Sequence, residues 1–364
     1  MPFGILDTEY IDLPANVDRS YVENMSIGSG LTFAQVLPEI DSRMREFNSS
    51  TDPLIAALAI DTQEALVEYT QPVAFSVQAA GEYAMGRLQR GEAMGAYMLP
   101  VRAWEVTTGW TEDGLREQRL TSITNTVDNI LLGYRVKFRK EVMRRLFNTT
   151  EVPVEPGKTT ATSPGFAGSG TGLNVYDRPF PSGAALPGGY THYIRVDTAG
   201  LQAALLAARD TLQKQGHAAP YDLIAPQTQI DAIVAMTEFV RTGSALVRLA
   251  PDAEEALVDP NVYLGVLGNT IRVRYAIDDF SSANIAVFKT YGSLDTRNPL
   301  AIRFPERPGL PDGGRSAYVR SRDFFPLAAA SVLSNWGVGV NNRTGAVLFH
   351  VDASGSYDNP VIAD

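Results

Sequence analysis

The chain has no cysteine, three histidines (His192, His217, His350) and five lysines (Lys137, Lys140, Lys158, Lys214, Lys289). The missing thiols exclude disulfides, thiolate metal sites and cysteine nucleophiles. The histidines are far apart in sequence, and no HxxxH or HxxE spacing offers a metal site. Each is read as structural, two within strand-like stretches and His217 after a helix end. Bases are also scarce, 31 against 41 acids for a net charge of −10, which argues against a nucleic-acid grip across the whole protein. No apolar run reaches the roughly 18 residues that span a bilayer. The start, MPFGILDTEYIDLP, has no basic region before an apolar core. We therefore expect no signal peptide and a product of the cytoplasm. The glycosylation triplets at Asn48 and Asn148 are then chance matches. Carboxylate chemistry survives these exclusions.

What is present is ordinary globular composition, 45% hydrophobic and 20% charged over 364 residues. That length suits two or three domains. Residues 1–31 hold scattered acids and apolar anchors (Phe3, Ile5, Leu6, Tyr10, Ile11, Leu13) without periodicity, and read as an extended arm that lies on another surface. Residues 32–47 suit a short helix, with Pro38 the expected break. Residues 66–110 read as two extended arms around a tip punctuated by Gly81, Gly86, Gly91 and Gly95. Pro72 and Pro100 lie inside those arms, so the hairpin is expected outside any central sheet, resting on a partner surface.

A long helix is expected next. Thr111-Glu112-Asp113 makes a capped, acidic opening. Apolar residues then recur at Ile123, Val127, Ile130, Leu131, Tyr134, Phe138, Val142 and Leu146. From 112 to 147 the rod would be about 54 Å at about 1.5 Å per residue. Residues 149–190, rich in Gly, Pro, Ser and Thr, form a long loop. Strands follow at THYIRVD, PYDLIAP, VYLGVLGNTIRVRYAI, ANIAVFKTYGSL, AYVRSRDFF, AAASVLSNWGVGVNN and GAVLFHVDA. Helices are expected from Asp197 or Thr198 to Lys214 and over QTQIDAIVAMTEFVR. No internal repeat is present.

Chemical motifs are weak. Gly157-Lys158-Thr159 lacks the upstream glycine of a phosphate loop, since Val152 stands there, and GFAGSGTG lacks a strand–turn–helix setting. Mobile loops explain both better. The acid pairs Glu254-Glu255 and Asp278-Asp279 fit solvated turns better than a cation site. Charge is more telling. Residues 1–110 carry −9, residues 111–148 carry +3 and the rest −4. The long helix ends in Arg135, Lys137, Arg139, Lys140, Arg144 and Arg145, with Glu141 the single acid among them. Helix-dipole compensation and a solvated basic face are two readings. The third, which we favour over nucleic-acid binding, is a docking strip for an acidic segment of the same or a neighbouring chain.

Arm, exposed hairpin, then very long helix is an order that resembles the Johnson fold (the HK-ninety-seven type) of tailed double-stranded DNA phage major capsid proteins, shared by encapsulins. Tyr221-Asp222-Leu223-Ile224-Ala225-Pro226 before a helix resembles that fold's entry to its axial domain. Leu264-Gly265-Val266-Leu267-Gly268-Asn269-Thr270-Ile271 resembles its Gly-x-x-x-Gly-x-x-Ile/Val strand, and Asn335-Trp336-Gly337-Val338-Gly339-Val340-Asn341-Asn342-Arg343 its closing peripheral strand. The resemblance implies an α+β fold. It divides the chain into an N-arm (1–50), an E-loop (66–110), a peripheral domain (111–217, with spine helix 112–147 and loop 149–190), an axial domain (218–318) and a return with C-terminal tail (319–364). It also implies a shell of hexamers and pentamers in a virion, assembled in the host cytoplasm, with no catalysis, no cofactor and no membrane. Its partners would be further copies, a portal protein, a separate scaffolding protein, a cement or decoration protein and packaged DNA bound without sequence specificity. Subunit docking would use the six basic helix residues with Asp7, Glu9, Asp12, Arg87, Arg90 and Trp104. Residues 66–110 contain no lysine, which removes the covalent cross-link some relatives make from that loop. An encapsulin shell is the alternative within the fold, and a carboxylate-based hydrolase the alternative outside it.

Overall fold

A computed structural model describes residues 11–12, 24, 26–50, 52–70, 94–108, 116–153, 173–174, 176–177, 179–181, 191–242, 262–277, 283–292, 295–305, 316–321, 330–353, 355–360 and 362. The architecture is α+β. A seven-stranded sheet takes, in spatial order, β11 (Phe239–Arg241), β12 (Tyr263–Leu267), β13 (Ile271–Arg274), β10 (Tyr221–Ile224), β14 (Asn284–Phe288), β18 (Ala346–Val351) and β9 (Tyr193–Val196). A six-stranded sheet runs β1 (Ile11–Asp12), β16 (Tyr318–Ser321), β17 (Ala330–Val340), β15 (Leu300–Arg303) and β2 (Ala59–Thr62), with β5 (Arg102–Thr108) also on β17.

The central strands β10 and β14 are mostly apolar without alternation because both faces are covered. Every residue of β10 and β14 is buried. On one face, Leu223, Val273, Ile285, Val287 and Phe349 pack with α4 (Leu201–Lys214) and α5 (Gln227–Val234). On the other, Ile224, Ala286, Phe288 and Leu348 join Val142, Leu146 and Phe147 of α3 (Leu120–Phe147), and the same cluster reaches Ile302, Trp336 and Val340 of the six-stranded sheet. One core therefore ties both sheets to the end of the long helix. The sequence-based divisions at 217/218 and 318/319 cross these sheets. β9 and β18 sit beside the expected axial strands, and β15 sits in the other sheet.

The helix itself is shorter than expected. Residues 116–117 are helical, 118–119 are not, and Arg119 is extended (φ −85°, ψ 152°) as the cap of a 28-residue helix, about 42 Å long. Thr111 lies outside the described residues. Residues 112–115 also lie outside them, and Arg116-Glu117-Gln118-Arg119 offers no large apolar side chain to bury, although packing is what sustains a helix. From Ile123 onward a face exists. It packs with Val36, Leu37, Ile40 and Met44 of α1 (Phe33–Ser49), and Arg43 pairs with Asp128 across that contact.

Pro38 does not break α1, which runs through it. The Thr32 N–H donates to Gln35 Oε1 at 3.0 Å to secure the first turn, and four buried apolar side chains offset the one hydrogen bond a proline forgoes. After α1, Asp52 caps α2 (Pro53–Leu58) through Leu54 N–H at 2.8 Å.

The hairpin also departs from expectation. β3 (Leu66–Thr70) and β4 (Met94–Met98) pair antiparallel, and the tip at 71–93 lies outside the described residues. The second arm is not one strand. It stops before Leu99-Pro100, and β5 then pairs with β17 inside the six-stranded sheet. Proline supplies no ladder N–H, and the chain crosses β17 so closely that a Cβ on Gly337 would stand 2.2 Å from the Pro100 carbonyl oxygen.

Candidate functional site

The expected basic strip is one row in sequence but several environments in space. Arg135 is exposed; its Nη2 donates to Ser50 Oγ at 3.0 Å and its guanidinium stands 5.6 Å from the Phe47 ring centre. Lys137 Nζ lies 3.3 Å from Glu141 and 5.0 Å from the centre of the Trp104 ring. Arg144 shares Glu141 and donates to the Ile362 carbonyl at 3.1 Å. Arg139 and Lys140 are half-buried. Arg145 turns inward: it is buried and paired with Asp177, which has no exposed surface. Arg145 lies three residues after the buried Val142 and beside the buried Leu146, on the edge of the helix that faces the core, so it is removed from any docking surface.

Asp177 also accepts from Val340 N–H at 3.1 Å. Burial pushes its carboxyl up to about 7, against the opposing pull of Arg145 and that N–H. The pair fastens the end of α3 to β8 (Tyr176–Asp177) and the end of β17.

Trp104, the one aromatic among the expected docking residues, is half-buried. It stacks on Trp336 with ring centres 4.9 Å apart, donates its indole N–H to the Trp336 carbonyl at 3.0 Å, and is spent inside the subunit. Beside this stack a groove of about 420 Å³ opens between α1, α2, α3 and the six-stranded sheet, walled by Phe47, Ile55, Phe138, Ile302 and Trp336 with Asp52 at its rim. Asp7, Glu9, Arg87 and Arg90 lie outside the described residues. Asp12 is in β1, whose backbone pairs parallel with β16, Ile11 opposite Val319. That much of the arm rests on its own chain.

The histidines hold the frame. His192 Nδ1 meets the Ala346 carbonyl at 2.6 Å. His217 Nδ1 and Nε2 meet Tyr291 OH (2.5 Å) and Thr344 Oγ1 (2.9 Å). Burial lowers the His217 pKa from 6.5 to about 4. Between those values the unfolded chain takes up a proton that the native state refuses, so stability falls as pH drops from about 6.5 towards about 4. We expect the His217→Gln variant to show a shallower slope over that window in denaturant titrations at stepped pH.

Among the described residues no group of three acids or histidines could hold a metal ion, and no helix is long and apolar enough to cross a membrane. The acid pairs at 254–255 and 278–279 lie outside them. The sequence reading missed two fully buried carboxylates, Asp177 and Asp222. Asp222 had a signal, an acid within the apolar run Tyr221–Ile224, with Arg272 and Arg274 alternating on a later strand. Asp177 had none.

No protein-family model matches the chain, and no curated protein matches it in sequence. A solved structure from Mycobacterium phage Patience aligns with 97% of this chain and 95% of its own, at a TM-score of 0.62 and 15% identity. The chain has the Johnson-type fold. The asymmetric unit of the bacteriophage PhiM1 mature capsid aligns with 84% of this chain and 89% of its own (TM-score 0.44, 8% identity). A virus-like particle from Pyrococcus furiosus aligns with 86% and 98% (TM-score 0.41, 9% identity). Likeness at those two scores adds nothing to the assignment. Within the Johnson-type fold, the long helix carries its basic end into the core that joins the two sheets, and β3–β4 share a ladder with neither but pack on the six-stranded sheet through the buried Tyr97, which lies with Ala301 and donates to the Val340 carbonyl at 2.7 Å.

Proposed function

We propose that this chain is a viral major capsid protein that assembles, without catalysis, into an icosahedral shell of hexamers and pentamers around double-stranded DNA. The observation that carries the reading is a fold shared along 97% of the chain with a phage structure. Surface chemistry supports it. Leu132 (57% exposed) and Val136 (43%) sit one turn apart on the outer face of α3, an apolar pair suited to a neighbouring subunit. In this reading α3 is the spine helix, residues 66–110 the E-loop and 1–50 the N-arm, with peripheral segments at 111–217 and 319–364 around an axial domain at 218–318. The protein resides in the virion capsid after assembly in the host cytoplasm. Its partners are further copies, a portal, a separate scaffolding protein, a cement protein and the packaged DNA. An acidic chain suits such a container, because it repels the DNA it encloses.

Electron microscopy of the purified protein tests the reading. Hollow particles tens of nanometres across are expected, and a stable monomer or dimer under assembly conditions overturns it. Docking is assigned to Arg135, Arg139 and Lys140, without the buried Arg145. Replacing those three with Ala should lower particle yield about tenfold or more, equivalent to about 1.4 kcal/mol of lost association, while circular dichroism stays at the wild-type value. Wild-type yield would remove the strip from the interface.

A further inference from the structure

Asp222 lies in β10 with no exposed surface. Its Oδ1 accepts from Arg272 Nε at 2.8 Å; its Oδ2 accepts from Arg274 Nε (3.0 Å), Tyr263 OH (2.9 Å) and Thr290 Oγ1 (3.2 Å). β10 and β13 run parallel with Asp222 opposite Arg272, so the alternating Arg272 and Arg274 share its face. Both guanidiniums also lie against the Tyr263 ring, 4.7 and 5.2 Å from its centre. One carboxylate, its acceptor capacity filled, thus faces two permanent cations.

A third cation stands beside them. Lys289, just past β14, donates through Nζ to the Pro220 carbonyl at 3.1 Å. Burial lowers its pKa and Arg272 pushes the same way, so the two charges feel each other. Arg297, next along, is already matched by Asp295 at 2.7 Å. Among the described residues the cluster therefore holds three cations to one anion. Asp222 and Arg274 are sealed in, whereas Arg272 (22% of its side chain exposed) and Lys289 reach the surface.

Excess positive charge in a half-buried place is costly, both by desolvation and by mutual repulsion, and an anion laid over it relieves both. Two reachable cations make a point-like acceptor, not the broad basic face that tracks a phosphate backbone. The chain itself is the richest source of carboxylates at hand, with 41 acids and a net charge of −10. We propose that the Arg272–Lys289 surface of the seven-stranded sheet binds a carboxylate side chain of a second copy of this chain, closing a subunit contact with a partly buried ion pair. The proposal rests on the shell reading and adds to it a specific contact.

The test uses the full-length protein, assembled from isotope-labelled and unlabelled subunits mixed in equal parts. A zero-length carbodiimide joins an amine to a carboxylate that touches it, and mass spectrometry reads which subunits were joined. We expect Lys289 cross-links to Asp or Glu that include mixed-isotope pairs. We also expect acetylation of Lys289 to fall about tenfold on going from free subunits to empty particles. Three results on well-formed particles would overturn the contact while leaving the shell intact: same-isotope cross-links alone, unchanged acetylation, or protection confined to DNA-filled particles, which would give the surface to phosphate. Absence of particles would overturn both.

Discussion

Replacing Arg145 with alanine will cost the folded subunit about 3–5 kcal/mol, the usual loss when one member of a buried ion pair is removed. Arg145 is 4% exposed and Asp177 is fully buried, so neither partner can turn to water for compensation. The effect should depend on pH. Because burial holds the Asp177 carboxyl up to about 7, its charged form gains population as pH rises through that value. Above it, Arg145 faces a carboxylate and its loss is most costly. Well below it, Arg145 is a buried cation beside a neutral acid, and its removal costs less. Guanidinium titrations at pH 5 and pH 8 should therefore show a larger deficit at pH 8. Replacing Arg145 with Met and Asp177 with Leu together should recover most of the loss, since an apolar pair of similar volume pays no desolvation. An equal deficit at both pH values would show that the pair is not what Arg145 contributes.

Trp336→Ala should cost a similar amount, about 3–5 kcal/mol. Trp336 is 4% exposed, stacks on Trp104 and receives the Phe138 edge at 4.6 Å between ring centres. It is the point where β17, β5 and α3 meet. The resulting void would join the groove beside it, whose walls belong to different elements and cannot collapse as one. Trp336→Phe keeps the stack and should lose about 1–2 kcal/mol. Denaturant midpoints check both. If alanine costs under about 1 kcal/mol, the stack is ornamental to the core.

Much of the fold was legible because its strands obey simple rules. The runs from Tyr221 to Ile224 and from Asn284 to Phe288 are mostly apolar and do not alternate, the mark of strands covered on both faces, with Asp222 and Asn284 as buried polar exceptions. Gly268-Asn269, both at positive φ (55° and 59°), turn β12 into β13 inside the stretch VYLGVLGNTIRVRYAI, which was expected to be extended without a turn. What else was not legible depends on partners distant in sequence. Whether Pro38 stops a helix is decided by the α3 face that α1 buries. Whether residues 102–108 stay in a hairpin is decided by β17, more than two hundred residues away. The basic row was visible, yet the one member that turns inward could be found only once Asp177 stood beside it. A charge in a sequence shows where a cation is, and burial alone tells which way it faces.

The six-stranded sheet has a consequence for synthesis. β1 and β2, encoded near the start, pair with β16 and β15, where Ile11 meets Val319 and Ala59 meets Leu300. A ribosome adding about 5–20 residues per second needs about 15–60 s to travel between the first pair. Throughout that interval the early strands have no ladder to join, and the sheet can be completed only once β15, β16 and β17 have left the exit tunnel. Nascent chains of this protein should therefore be chaperone clients until β17 has emerged, with the five strands β10 to β14, neighbours in both sequence and space, the first to resist protease.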